Sequence, residues 1–138
     1  TSSSDAVYML DWYAYGIGKV PTKVATTYQN ISDAWSLLID QKWHDRITAI
    51  KVNDGGLSYV EFFEYRKNKM SIPLFNIYCA TGSNREYYAE RTDLIQLGQT
   101  TQAIYFAKLT NEGEKSELAL TGDEIKARFS LVNQAWNN

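Results

Sequence analysis

Arg46-Ile47-Thr48-Ala49-Ile50-Lys51-Val52-Asn53-Asp54-Gly55-Gly56-Leu57-Ser58-Tyr59-Val60-Glu61-Phe62-Phe63-Glu64-Tyr65 is the stretch whose reading decides the fold. Along an extended chain, successive side chains point to opposite faces. Before the turn, Ile47, Ala49 and Lys51 therefore share one side, and Thr48, Ile50 and Val52 the other. After it, Ser58, Val60, Phe62 and Glu64 face one way, against Tyr59, Glu61, Phe63 and Tyr65. Asn53-Asp54-Gly55-Gly56 supplies the turn chemistry between them, so the stretch predicts an antiparallel hairpin.

Strand patterning continues downstream. Pro73 to Ala80 alternates Phe75, Ile77 and Cys79 against Asn76 and Tyr78, which makes Cys79 a small buried hydrophobe. As a lone cysteine it forms neither an intramolecular disulfide nor a multi-cysteine metal site. Residues 66–71 read as a basic turn, and Thr81-Gly82-Ser83-Asn84 as another. Asp93 to Gly98 and Thr101 to Leu109 read as a hairpin pair, followed by a turn at Asn111 to Glu114.

Upstream the pattern is less decided. Trp35 to Ile39 fits a helix capped by Ser32 or Asp33, and equally a strand entering a turn at Asp40-Gln41-Lys42-Trp43. Lys19 to Asn30, with Pro21, reads as a loop or an edge strand. Ala6 to Ile17 fits helix and strand alike; its Tyr, Trp and Val content leans to strand, and Gly16 and Gly18 end it.

At the other end, Thr121-Gly122-Asp123-Glu124 has the form of a capping box. Ile125, Phe129, Val132 and Trp136 then fall on one helical stripe. The fold class expected is α+β: an antiparallel sheet of about five to seven strands with a C-terminal amphipathic helix packed on one face. Residues 1–5 form a tether and residues 6–138 a single domain.

Composition limits the function. A chain of 138 residues with 44% apolar and 22% charged residues is an ordinary globular domain. Its formal charge of −2 supplies no electrostatic footprint for nucleic acid and no polybasic membrane patch. No stretch reaches the roughly 18 consecutive apolar residues of a membrane span. Ten Tyr, five Phe and four Trp are the unusual feature. Such residues favour half-buried pleated surfaces, and they also build stacking or peptide-binding faces. Thr1-Ser2-Ser3-Ser4-Asp5 resembles the small-residue tether that follows a removed secretion signal or a lipid-anchored cysteine.

Residues able to carry chemistry are scattered. His44 sits beside Asp45, but neighbours on an extended chain point apart, and a triad assembles across a fold. Glu61 and Glu64 take opposite faces of their strand, so they do not form a glycosidase pair. Asp40 and Asp45 flank a turn. Asn53-Asp54-Gly55 lacks the alternating acids and closing Glu of a calcium loop. Gly16-Ile17-Gly18 lacks the third glycine and helix of a nucleotide loop. No catalytic, cofactor-binding or metal residue is assigned. The candidate ligand or partner surface is Tyr59, Tyr65 and Tyr78 with Trp43 and His44, and Tyr105 is a further ring for the platform; cross-strand ring pairing is the competing explanation.

The segment Trp35 to Ile47 resembles one found in small secreted lipoproteins of Gram-positive bacteria, where an apolar strand enters a Pro-x-x-Trp turn, then a basic residue and a new strand. Val60-Glu61-Phe62-Phe63, Leu74 to Tyr78, Leu97-Gly98, Tyr105-Phe106-Ala107 and the Glu124-to-Phe129 helix follow in the same order. Asp40 stands where that pattern has proline. The resemblance covers roughly residues 28 to 136 and is similar to the PsbP-like arrangement of an antiparallel sheet with helices against it. It implies a non-catalytic extracytoplasmic accessory or binding domain of a bacterial cell-envelope lipoprotein, without a cofactor. Another envelope protein, a glycan or a peptide is the expected partner, and a lipid anchor is expected upstream of Thr1. The alternatives are an envelope hydrolase acting on glycan or peptide, and a small-ligand carrier using the tyrosine-rich face.

Overall fold

The computed structural model describes residues 8–14, 17–18, 20–43, 45–65 and 72–132. The elements are β1 (Tyr8–Ala14), β2 (Thr22–Asn30), β3 (Trp35–Leu38), β4 (Ile47–Asp54), β5 (Leu57–Glu64) and β6 (Ile72–Thr81). Then follow α1 (Glu86–Ala89), β7 (Ile95–Gln99), β8 (Ala103–Leu109), α2 (Asn111–Glu114), α3 (Gly122–Arg128) and β9 (Phe129–Leu131). They build two antiparallel sheets, ordered β1-β2-β3-β9 and β4-β5-β6-β8-β7. Among the described residues no helix is long and apolar enough to cross a membrane.

The hairpin read from Arg46 to Tyr65 is present, with Asn53 opposite Ser58, Asp54 opposite Leu57, and Gly55 at φ +62° in the turn. Of the faces sorted by alternation, the one carrying Ala49, Val60 and Phe62 turns inward, and these three are buried. Ile95 to Gln99 and Ala103 to Leu109 pair as anticipated, and Cys79 lies in the core at 4% exposure.

Two expectations need correcting, and one open alternative is decided. The described residues hold nine strands in two sheets, where about five to seven in one sheet had been expected from patterning. One source of the difference is β2, read as a loop or edge strand. It is nine residues long and lies between β1 and β3, bonded on both sides. Trp35–Leu38, left open between helix and strand, is a strand, with β2 and β9 flanking it as ladder partners. The other correction is the C-terminal helix. Its capping box forms, with Thr121 Oγ1 accepting from the Glu124 N–H at 3.1 Å and Glu124 Oε1 accepting from the Thr121 N–H at 2.9 Å. The helix nevertheless ends at Arg128, and Phe129 turns extended at φ −85° and ψ 140°. There Phe129 pairs with Leu37 and stacks its ring on Trp35 at 5.7 Å, so sheet pairing and aromatic burial outweigh the helical period. Trp136 lies outside the described residues, as do residues 1–5 and the turn at 66–71.

The sheets pack face to face. Tyr28, Trp35 and Leu37 come from the smaller sheet, and Val60, Phe62, Phe75 and Ile77 from the larger. Rings touch from one to the next across the interior. Trp43 meets Phe75 at 5.6 Å, Phe75 stacks on Phe62 at 4.9 Å, and Phe62 meets Tyr28 edge-on at 5.3 Å and 77°. Tyr28 leads to Trp35 at 5.3 Å, Trp35 to Phe129, and Phe129 back to Tyr105 of the larger sheet at 5.7 Å.

Polar bonds close one end of the interface. The β2–β3 turn, with Ala34 at φ +63°, is held by the Asn30 side-chain carbonyl, which accepts from Ser32 Oγ and the Asp33 N–H, each at 3.1 Å. From the larger sheet, Ser58 donates to Asp33 Oδ2 at 2.8 Å, Tyr105 donates to the Asp33 carbonyl at 2.7 Å, and the buried Lys51 donates to Ser32 Oγ. Lys51 thus sits on the inner side with Ala49 because it finds a hydroxyl there.

At the other end α2 docks on β6 through Gly113. A Cβ on this glycine would stand 2.2 Å from the Leu74 carbonyl oxygen and 2.6 Å from its Cα, both backbone atoms unable to step aside. Gly113→Ala is therefore expected to destabilise the domain by about 2–3 kcal/mol in urea unfolding; an unchanged midpoint would mean that α2 is not seated in this way.

Candidate functional site

Strand register sets a row across the outer face of the five-stranded sheet. Val52 lies opposite Tyr59, Tyr59 opposite Tyr78, Tyr78 opposite Phe106, and Phe106 opposite Gln96. Neighbouring strands are about 4.8 Å apart, which matches the repeat of stacked rings. Tyr59 and Tyr78 lie 5.0 Å apart at 34°, and Tyr78 and Phe106 lie 4.8 Å apart at 9°. Tyr88 of α1 extends the ladder over Phe106 at 5.0 Å and 16°. Tyr87 meets Tyr88 edge-on at 5.2 Å, and the Arg91 guanidinium lies 5.5 Å from the Tyr87 ring centre.

Beside this row runs a polar one: Ile50 opposite Glu61, Glu61 opposite Asn76, and Asn76 opposite Lys108. Asn76 donates its side-chain N–H to the Tyr78 hydroxyl at 3.1 Å. The Tyr59 hydroxyl titrates above its ordinary value, first through partial desolvation and then through the negative charge of Glu61. The face is covered unevenly. Tyr88, Ala89 and Leu94 pack over Ala80, Ile104 and Phe106 on the β8 side. On the β4 side Ile50 is 51% exposed.

The structure thus brings together Tyr59 and Tyr78 of the proposed surface. Tyr65, one residue past β5, is exposed at 57% and stands beyond the ladder. Trp43 must be withdrawn. It is fully buried on Phe75, and its indole N–H donates to the Leu118 carbonyl at 2.7 Å, because a short 3-10 turn at Gln41–Trp43 carries it beneath that segment. His44 lies outside the described residues. Tyr105 also leaves the platform: it faces inward at 4% exposure, and Phe106 takes the outer position. Sequence reasoning missed Phe106 and Tyr88. The signal for Phe106 was its adjacency to Tyr105, since one of two neighbours on a strand must point outward.

Other chemical groups stay apart. Glu64 is buried on the inner face and accepts from Ser116 Oγ at 2.6 Å, whereas Glu61 lies on the outer face, as alternation requires. Among the described residues no group of three or more His, Cys, Asp and Glu side chains converges as a metal site. No family model, curated protein or solved structure matches the chain.

Burial, with a smaller contribution from Asp33, pushes the Cys79 thiol up to about 11 despite a hydrogen bond to Tyr105. The thiolate is the reactive form, and at about pH 8 very little is present. An aromatic disulfide reagent is expected to leave the folded protein unlabelled at that pH and to label it stoichiometrically in denaturant. Labelling of the folded protein at the rate of a free thiol would contradict the buried placement.

Proposed function

We propose that this chain is a non-catalytic, extracytoplasmic accessory or binding domain of the cell envelope, and that it meets a protein partner through the open half of its outer aromatic face. The observation that supports this reading is the ladder Tyr59–Tyr78–Phe106–Tyr88 with the polar row Glu61, Asn76 and Lys108 beside it. Rings stacked along the sheet turn their faces toward one another; Phe106 is buried beneath Tyr88, and Tyr59 and Tyr78 are the partly exposed rings of the open half. A sugar platform needs open ring faces, so the arrangement favours protein over glycan. Rigid tyrosines beside exchangeable polar groups are the usual composition of a protein interface. Exposed Ile50 and Tyr65 extend the apolar part of the same face.

A photo-crosslinking residue at position 50, in cells that express the chain, tests this. A discrete protein adduct is expected, and Tyr59→Ala is expected to weaken the purified complex at least tenfold, as a hot-spot truncation does. The same variant should lose only about 0.2–1 kcal/mol of stability, the scale of a cross-strand pair. No adduct from position 50, together with glycan-induced shifts at Tyr59 and Tyr78, would replace the protein partner with a sugar.

A further inference from the structure

A cleft of about 670 Å³ lies where β2 and the end of β3 meet the last turn of α3, apart from the outer aromatic face. Small-molecule sites run from roughly 300 to 1,000 Å³ and combine apolar lining with a few convergent polar groups. Here the apolar lining is Ala25, Leu38 and Ile39, with Leu38 left 43% exposed.

The polar groups are fixed in advance. Arg128 donates to the Glu124 carbonyl at 3.0 Å and to Asp40 Oδ2 at 2.7 Å. Asp40 Oδ1 accepts the backbone N–H of Lys42 at 3.1 Å. Both partners of the Asp40–Arg128 pair are largely screened from solvent, at 21% and 24% side-chain exposure. Desolvation alone would raise the Asp40 carboxyl, but the Lys42 N–H and the guanidinium outweigh it and hold it below the ordinary carboxylate range. The carboxylate is therefore charged and already satisfied. Arg128 still has further N–H donors in its five-donor fork. Lys23 is the second cation of the lining, 3.4 Å from Asp11 in an exposed and therefore weak pair. Gln41 and Thr26 complete the polar lining, the Thr26 hydroxyl donating to Asp11 Oδ1 at 2.6 Å. Two cations thus stand with two carboxylates that are already engaged, Asp40 by the Lys42 N–H and Arg128, and Asp11 by Thr26 and Lys23, while the guanidinium and the ammonium keep donors to spare beside an apolar surface.

We infer that this cleft binds a small monocarboxylate with an apolar tail, its carboxylate between Arg128 and Lys23 and its tail on Ala25, Leu38 and Ile39. Because Asp11 and Asp40 offset the two cations, the site offers directed donors and no net positive charge, so a second negative charge on the ligand gains nothing there.

Octanoate, octanol and octylamine, titrated into the full chain and followed by backbone amide shifts and calorimetry, form the test. Saturable octanoate binding with shifts at Lys23 to Thr26 and Ile39 to Gln41 is expected, with octanol weaker and octylamine weakest. Lys23→Gln, at a solvent-exposed position, should weaken octanoate about tenfold, the scale of one charge-assisted hydrogen bond. Leu38→Ser should weaken it as well, and Tyr59→Ala should leave it unchanged, which separates this site from the outer face. Octanol binding as well as octanoate, indifference to Lys23→Gln, or no saturable shift in the cleft would each overturn the inference.

Discussion

The T-shaped contact between the rings of Tyr28 and Phe62 is the one on which the rest of the structure depends. It is where the four-stranded sheet meets the five-stranded one, at 5.3 Å between ring centres. From it the rings run outward in both directions, through Phe75 to Trp43 and through Trp35 and Phe129 to Tyr105. Large rings bury about 150–250 Å² each, so a run of them contributes substantial apolar area between the sheets. Phe129 explains why the chain abandons a helix to form β9. Its place in this run, between Trp35 and Tyr105, is reached from an extended backbone.

The polar bonds at the β2–β3 turn complement that apolar contact. Asp33, Ser58, Tyr105, Lys51 and Ser32 tie the turn of one sheet to the strands of the other. Rings alone leave some freedom to slide, whereas a turn held by side chains of three strands of the larger sheet fixes the relative position of the two layers. The outer face follows from this arrangement. Alternation sends Val60 and Phe62 inward and leaves Tyr59 and Glu61 outward, so the same strands that build the core also present the ladder.

Much of this was legible in the residues, for local reasons. The Asn53–Gly56 turn and its alternating flanks define a hairpin without help from the rest of the chain, and the capping box at Thr121 acts within one helical turn. The misreadings, and the segment left open at Trp35–Leu38, share a cause, which is that distant partners decide them. Trp35–Leu38 becomes a strand because β2 and β9 bond to it. Phe129 leaves the helix for a ring from β3. Trp43 looked like an exposed turn aromatic until Leu118, seventy-five residues away, supplied an acceptor for its indole N–H. The candidate site divides in the same way: Tyr59 and Tyr78 were legible as outward residues of their own strands, whereas Phe106 and Tyr88 joined the ladder through register and through α1.

A double-mutant cycle on Tyr28→Leu and Phe62→Leu, read by equilibrium unfolding in urea, measures the inter-sheet contact most directly. If the ring pair joins the sheets as described, the two substitutions couple by about 0.5–1.5 kcal/mol beyond the sum of their separate effects. Effects that add to within about 0.3 kcal/mol, as for independent sites, would contradict it.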